Sequence, residues 1–122
     1  MSSSDSGYPK AQSPDDLFRF FAERANARDV EGLLDLYETD SVVVFQPGQP
    51  FAGRDAIREG LVAMLSGDAT FSADGQQPSI VVGDLALTSA KLGPDMVTAE
   101  VARRQPDGSW KWVIDNPFIA SS

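Results

Sequence analysis

The sequence predicts an α+β fold in which three N-terminal helices pack on one face of a curved antiparallel sheet. Two observations carry this prediction. Apolar residues recur at helical spacing from Leu17 to Leu65, and from Ala69 onward the period becomes that of strands, interrupted by turn signals. The size agrees: 122 residues with 42% apolar and 9% aromatic content build one core and leave no room for a second domain.

Residues 1–12 are rich in Ser, Gly, Pro and Lys, offer almost nothing to bury, and read as a disordered leader, so the single domain spans 13–120. The first helix opens at Ser13-Pro14-Asp15-Asp16. There Ser can cap free N–H groups, Pro suits the first turn, and two carboxylates favour the positive end of the helix dipole. Leu17, Phe18, Phe21 and Ala25 follow at helical spacing, and the helix runs to about Ala27. Asp29 caps a second, shorter helix in which Val30, Leu33, Leu34 and Tyr37 share one buried face, which makes Tyr37 a core residue before a catalyst. Ser41 to Gln46 is β-branched and aromatic and reads as a strand running into a loop at Pro47-Gly48-Gln49-Pro50. After Gly53, the stretch Asp55 to Leu65 places Ile57, Leu61, Met64 and Leu65 on one face of a third helix.

The expected strands of the second half are 69–74, 77–82, 85–92, 96–105 and 109–116, with the first two also readable as one bent strand. Gly75, Gly83-Asp84, Gly93-Pro94-Asp95 and Pro106-Asp107-Gly108 break them. Short turns between successive strands make an antiparallel meander, and Pro106-Asp107-Gly108 is a strong hairpin signal because Asp and Gly readily supply positive backbone angles. Helices packed on one side of a strongly curved sheet leave a cavity between the layers.

Composition removes several function classes. The formal charge is −8, from 10 Lys+Arg against 18 Asp+Glu, and the basic residues are scattered, so neither nucleic acid nor an anionic membrane is an expected partner. Cysteine is absent, which excludes disulfides and thiolate chemistry. Histidine is absent too, so a Ser-His-Asp arrangement and His-based zinc or iron sites cannot be built, and acid–base work falls to Asp, Glu, Lys or Tyr. No Gly-rich phosphate loop is present. Neither a cofactor nor a metal is expected, although a site made only of carboxylates stays open. With no long apolar run and no hydrophobic signal core, the expected location is cytoplasmic.

Several strings resemble the NTF2-like superfamily, which includes ketosteroid isomerases, SnoaL-like polyketide cyclases and many uncharacterised small proteins. They are Asn26-Ala27-Arg28-Asp29-Val30-Glu31-Gly32-Leu33-Leu34, then Leu36-Tyr37-Glu38-Thr39-Asp40-Ser41-Val42-Val43-Val44, and Gly53-Arg54-Asp55-Ala56-Ile57-Arg58. The closing stretch from Arg103-Arg104-Gln105-Pro106-Asp107-Gly108 to Trp110-Lys111-Trp112-Val113-Ile114-Asp115-Asn116-Pro117-Phe118 is similar to the uncharacterised ketosteroid-isomerase-like branch. The likeness runs from about Ser13 to Phe118. It implies an NTF2-like, or cystatin-like, cone and a homodimer paired through the open sheet face. A sheet face left apolar in water agrees with such pairing.

The resemblance also implies where chemistry would sit. Ketosteroid isomerases place a carboxylate base just before a proline at the end of the first strand, and here that position is Gln46, followed by Pro47. They take an oxyanion donor from a tyrosine of the first helix, and the matching place here is Phe21. An amide is not a useful base at neutral pH and a phenyl ring donates no hydrogen bond, so steroid isomerisation by that mechanism is not expected.

Asp115 is the candidate acid or base, because it lies between an apolar strand and the Asn116-Pro117 break, where burial would raise its pKa. The alternative is that it only accepts backbone hydrogen bonds or caps the strand end. Simple alternation puts Trp110, Trp112 and Ile114 on one face and Lys111, Val113 and Asp115 on the other, unless a bulge intervenes. Gln46 is the candidate for orienting a small hydrophobic ligand, with Phe18, Phe21, Phe45, Met64 and Trp112 as apolar walls that also read as plain core. Trp110 stands as an alternative dimer-face residue, and Glu100 either faces the pocket or pairs with Arg103 or Lys111 on the sheet surface, the surface pair being the expectation. Three functions remain open: a cofactor-independent isomerase, cyclase or lyase acting on a hydrophobic carbonyl compound; a non-catalytic ligand-binding or dimerisation module; and a pocket filled by side chains in a protein that acts through its surface.

Overall fold

Apolar periodicity sets the element order, and a computed structural model describes residues 7–120. The elements are α1 (Asp16–Asn26), α2 (Val30–Leu34), β1 (Tyr37–Gln46), β2 (Gln49–Ala52), α3 (Arg54–Met64), β3 (Ile80–Val82), β4 (Leu85–Thr88), β5 (Val97–Arg104) and β6 (Trp110–Ala120). The six strands form one sheet in the order β2-β1-β6-β5-β4-β3. Neighbours run antiparallel except β1 and β6, which run parallel. The expected wholly antiparallel sheet is therefore corrected to a mixed one. The rest of the chain, including α3 and the meander, separates β1 from β6, and a crossover of that length permits a parallel pair where a tight turn cannot.

Local side-chain chemistry explains the shifted boundaries. Asp15 precedes α1 without capping it, because its carboxylate accepts instead from Gln76 Nε2 at 3.1 Å and from Ser79 Oγ at 2.5 Å. Asp29 does cap α2, accepting the Gly32 N–H at 3.0 Å. That helix ends at Leu34, so Tyr37 belongs to β1 rather than to the second helix. Pro47-Gly48 is a tight turn and not the start of a loop, since Gln49–Ala52 returns as β2 against β1.

No strand forms over 69–74. Asn26 pairs with both backbone groups of Phe71 at 2.8 and 2.9 Å, and Arg28 donates to the carbonyls of Gly67 and Ala69 at 2.7 and 2.9 Å. These backbone groups find partners at the end of α1 and in the α1–α2 connection, so a sheet ladder is not needed to satisfy them. The expected hairpin at Pro106-Asp107-Gly108 does form: Gly108 takes φ 88°, and Asp107 accepts from the Ser109 N–H and hydroxyl.

Of the expected leader, residues 1–6 lie outside the described residues. Ala11 is buried, its carbonyl accepts the Trp110 N–H at 2.9 Å, and Arg24 donates to the Pro9 carbonyl at 2.7 Å. Packed structure thus begins before residue 13. Asp35 ties this segment down, with Lys10, Arg24 and Lys111 at 3.5, 3.9 and 3.8 Å.

The core lies between the helices and the inner sheet face. Leu17 and Ala25 of α1, Leu33 and Leu34 of α2, and Ile57 and Leu61 of α3 meet Tyr37, Val43, Ala102 and Trp112 there. No described helix is long and apolar enough to cross a membrane. α3 approaches β1 through Gly60, where an added Cβ would stand 2.3 Å from two ring carbons of Phe45. Gly60→Ala forces that ring to move. Overpacking costs about 1–3 kcal/mol and helix propensity returns about 1 kcal/mol, so urea denaturation should show a net loss of up to about 2 kcal/mol.

Candidate functional site

Three cross-strand pairings build the candidate site on the inner face of the sheet. Glu100 of β5 and Asp115 of β6 are direct partners, β4 sets Thr88 opposite Glu100, and β1 sets Val43 opposite Asp115. The neighbouring row holds Tyr37, Trp112, Ala102 and Ala86. The two alanines leave space for the Trp112 indole to lie across β5, and its Nε1–H donates to Thr88 Oγ1 on β4 at 3.1 Å. Thr88 donates to Glu100 Oε1 at 2.7 Å, and Tyr37 donates to Asp115 Oδ2 at 2.7 Å.

Trp112 and Asp115 share this face because β6 carries a bulge. Val101 pairs with Ile114 and Ala102 with Trp112, which leaves Val113 as the extra residue. Simple alternation is thereby overturned: Ile114 turns out to solvent at 48% exposure while Asp115 turns inward. Trp110 is buried in the core at 4% exposure and is not part of an exposed face.

Glu100 is the residue that sequence reasoning misplaced. It is 2% exposed and faces the interior, while the partners expected for it are engaged elsewhere, Arg103 with Glu38 at 2.9 Å and Lys111 with Asp35 at 3.8 Å. Along β5 the alternation reads Thr98, Glu100, Ala102 against Val97, Ala99, Val101, and the more polar set is the buried one. The apolar set instead joins Leu85, Leu87 and Ile114 on the outer face. That inversion is visible only once the register is known.

Both carboxyls hold their protons unusually tightly. Burial pushes Glu100 up to about 8, the charge of Asp115 adds to the rise, and hydrogen bonds from Thr98 and Thr88 oppose it. Burial likewise pushes Asp115 up to about 6, against the Tyr37 hydroxyl that favours its anion. Burial first, and then the Asp115 charge and hydrogen bond, hold Tyr37 well above the ordinary phenol range. Both carboxyls thus favour the protonated form beyond their ordinary range, Glu100 more than Asp115, with Tyr37 as a fixed donor.

Phe18 and Phe21 of α1 pack edge-on against Trp112, with ring centroids 5.2 and 6.1 Å away, and the Tyr37 ring lies 5.5 Å from it. Phe71, from the α3–β3 connection, meets Phe21 at 6.2 Å. The structure thus brings Phe18, Phe21, Trp112 and Asp115 into one contiguous set. Phe45 pairs instead with Phe51 at 5.2 Å, and Met64 packs, half-buried, against the core. Gln46 stands apart, exposed beside the β1–β2 turn and registered with Gln49. Gln46 is the last residue of β1, at the turn that begins with Pro47, and lies outside the aromatic set around Trp112. Among the described residues no cluster of three or more acidic side chains is placed to hold a metal ion.

The fold belongs to a known class of domain. The family model for the SnoaL-like domain matches residues 17–114, and the chain belongs to that family. Its NTF2-like, cystatin-like fold is shared by solved structures of low identity. A candidate calcium/calmodulin-dependent protein kinase type II association domain from Thiobacillus denitrificans is 19% identical, with a TM-score of 0.70 over 90% of this chain and 98% of that one. A candidate dehydratase of the NTF2-like family from Streptomyces avermitilis is 19% identical, with a TM-score of 0.61 over 82% and 88%. A ketosteroid isomerase-like protein from Erwinia carotovora atroseptica is 14% identical, with a TM-score of 0.60 over 84% and 89%. No curated protein matches the sequence.

Raised carboxyl pKa values have a signed effect on stability. From the ordinary carboxyl range up to about 8 the folded chain binds more protons than the unfolded chain, so stability falls as pH rises through about 6 and then about 8. Glu100→Gln keeps the shape of the protonated acid and removes most of that slope. Thermal and urea unfolding at pH 8.5 should show the variant more stable than the wild type by about 1–3 kcal/mol, and the two should converge below about pH 4.

Proposed function

We propose that this chain is a cofactor-independent acid–base enzyme, an isomerase, cyclase or lyase acting on an uncharged, hydrophobic carbonyl compound. The observation that carries the reading is the pairing of Glu100 and Asp115 side by side on the inner sheet face, each with a different hydroxyl partner. Asp115 acts as base and Glu100 as acid. Asp115 takes the proton on the carbon next to the carbonyl, the C–H electron pair moves into a carbon–carbon double bond, and the carbonyl oxygen takes the Glu100 proton. The enol hydroxyl then returns its proton to Glu100 as Asp115 delivers the other proton to the α carbon, or to the γ carbon where a conjugated double bond extends the enol. Alternatively, a β-hydroxyl leaves as water with the proton held by Asp115, while the enol hydroxyl returns its own to Glu100. Opposite protonation states in adjacent carboxyls are what such a pair needs near neutral pH. The aromatic rings of Phe18, Phe21 and Trp112 favour a flat apolar substrate, which enters by displacing the ring contacts that fill the interior. The names of two structural neighbours, a candidate dehydratase and a ketosteroid isomerase-like protein, fit the same kind of chemistry.

Solvent deuterium incorporation next to the carbonyl of uncharged aromatic and alicyclic ketones, followed by NMR, tests this reading. Asp115→Asn should reduce exchange by about 100-fold or more, as expected for loss of a general base. An unchanged rate in that variant would remove Asp115 from the chemistry.

A second role rests on the outer sheet face. Ile80, Val82, Leu85, Leu87 and Ile114 are 63%, 76%, 47%, 47% and 48% exposed, and a shallow apolar groove runs among the first four beside Val101. So large an apolar surface favours pairing with a second copy, which supports a homodimer through this face. Sedimentation velocity should report a dimer for the wild type and a monomer for Leu87→Asp. A monomeric wild type at micromolar concentration refutes the pairing.

A further inference from the structure

The route of hydrogen bonds behind Glu100 runs in one direction only, and its polarity follows from the donors involved. An indole N–H can donate but never accept. Trp112 Nε1 therefore uses a lone pair of Thr88 Oγ1, at 3.1 Å. Thr88 is 1% exposed, and among the described residues the acceptor for its own proton is Glu100 Oε1, at 2.7 Å. Were the Glu100 proton on Oε1, that oxygen would donate to Thr88 and the threonine proton would be left buried without an acceptor. Buried hydroxyls are rarely left so. Oε1 is consequently an acceptor, and a proton carried by Glu100 sits on Oε2.

The same reasoning applies across the strand pair. Tyr37 is 2% exposed and donates to Asp115 Oδ2 at 2.7 Å, which leaves Oδ1 as the oxygen without that donor. We propose that Trp112 and Thr88 form a one-way relay that holds the Glu100 proton on Oε2, so that the reacting atoms are Glu100 Oε2 as acid and Asp115 Oδ1 as base. This assignment rests on the acid–base reading above. Thr88 is then a positioning residue, acting through Glu100, and Trp112 has a second task beyond forming an apolar wall. Ala86 and Ala102 make the relay possible, because a larger side chain in that row would lift the indole off β5 and away from Thr88.

The groups that bear on the Glu100 carboxyl are few. Asp115 faces it from β6, Thr88 from β4 and Thr98 from its own strand, while Tyr37 on β1 acts through Asp115. From the helix side α1 presents the Phe18 and Phe21 rings to Trp112, and no cation is among the causes that shift either carboxyl. Donation by Thr88 stabilises the Glu100 anion, so its removal should raise the titration midpoint further.

Infrared spectroscopy of protein carrying carboxyl-labelled glutamate reads this directly, without a substrate. The protonated Glu100 band is assigned by its loss in Glu100→Gln. In the wild type at pH 7 the C=O stretch should lie low, as for a carbonyl that accepts a hydrogen bond. In Thr88→Val the band should move to higher frequency and the midpoint should rise by about one pH unit. Thr88→Ser should restore both. Trp112→Phe frees the threonine hydroxyl to turn, and the band should broaden between the two positions. A protonated band present in the wild type but unmoved in Thr88→Val sinks the relay and leaves the acid–base pair standing. Absence of any protonated Glu100 band at pH 7 sinks both. Should Thr88→Val fail to fold, a narrow, unshifted band in Trp112→Phe overturns the relay on its own.

Discussion

One extra residue in β6 decides what the interior of this protein contains. Val113 bulges between the Ala102–Trp112 and Val101–Ile114 pairs, and the strand changes face across it. Without the bulge, Asp115 would point to solvent whenever Trp112 points inward. With it, Trp112 can fill the core against Phe18 and Tyr37 while Asp115, three residues on, enters the same face beside Glu100. The parallel pairing with β1 depends on the same strand, since Tyr37 stands opposite Trp112 and reaches Asp115 with its hydroxyl. Fold and candidate chemistry are therefore joined through a single irregularity.

Much of the architecture could be read from residue spacing. The apolar faces of α1 and α3, the Asp29 cap, the Asp107-Gly108 turn and the strand character of the second half all depend on neighbours within a few residues. Features set by distant partners were not legible in the same way. Residues 69–74 look like a strand, but Asn26 at the end of α1 and Arg28 in the α1–α2 connection satisfy that backbone. Gln49–Ala52 looks like a loop because of its proline, yet Pro50 sits in β2 at the edge of the sheet, where a missing N–H can be tolerated.

The candidate site shows the same division. Asp115 was identifiable as a carboxylate in an apolar strand, and the aromatic residues around Trp112 were identifiable as a wall. Glu100 was not, because its strand has apolar residues on the side that turns outward. A rule that assigns the greasier face to the core fails wherever a sheet has two faces to cover. The exposed set of Ile80, Val82, Leu85, Leu87 and Ile114 shows how much apolar surface the outer face carries, and that is why the polar row with Glu100 was misread.

Stability alone gives a poor account of the Glu100 and Asp115 pair. Two neighbouring carboxyls without a cation cannot both ionise cheaply in a dry place, and holding one of them protonated costs folding free energy at every pH above its unfolded value. A glutamine at position 100 would accept the same Thr88 hydrogen bond, present donors toward Asp115 and carry no such cost. A leucine would suit the apolar surroundings at the further expense of leaving the Thr88 hydroxyl unpaired. What the acid supplies and neither substitute can is a transferable proton, set next to a carboxylate able to receive one. A core with no imidazole has few other ways to obtain that combination, and the bulge, the small alanine row and the Trp112 to Thr88 hydrogen bond all contribute to holding it in place.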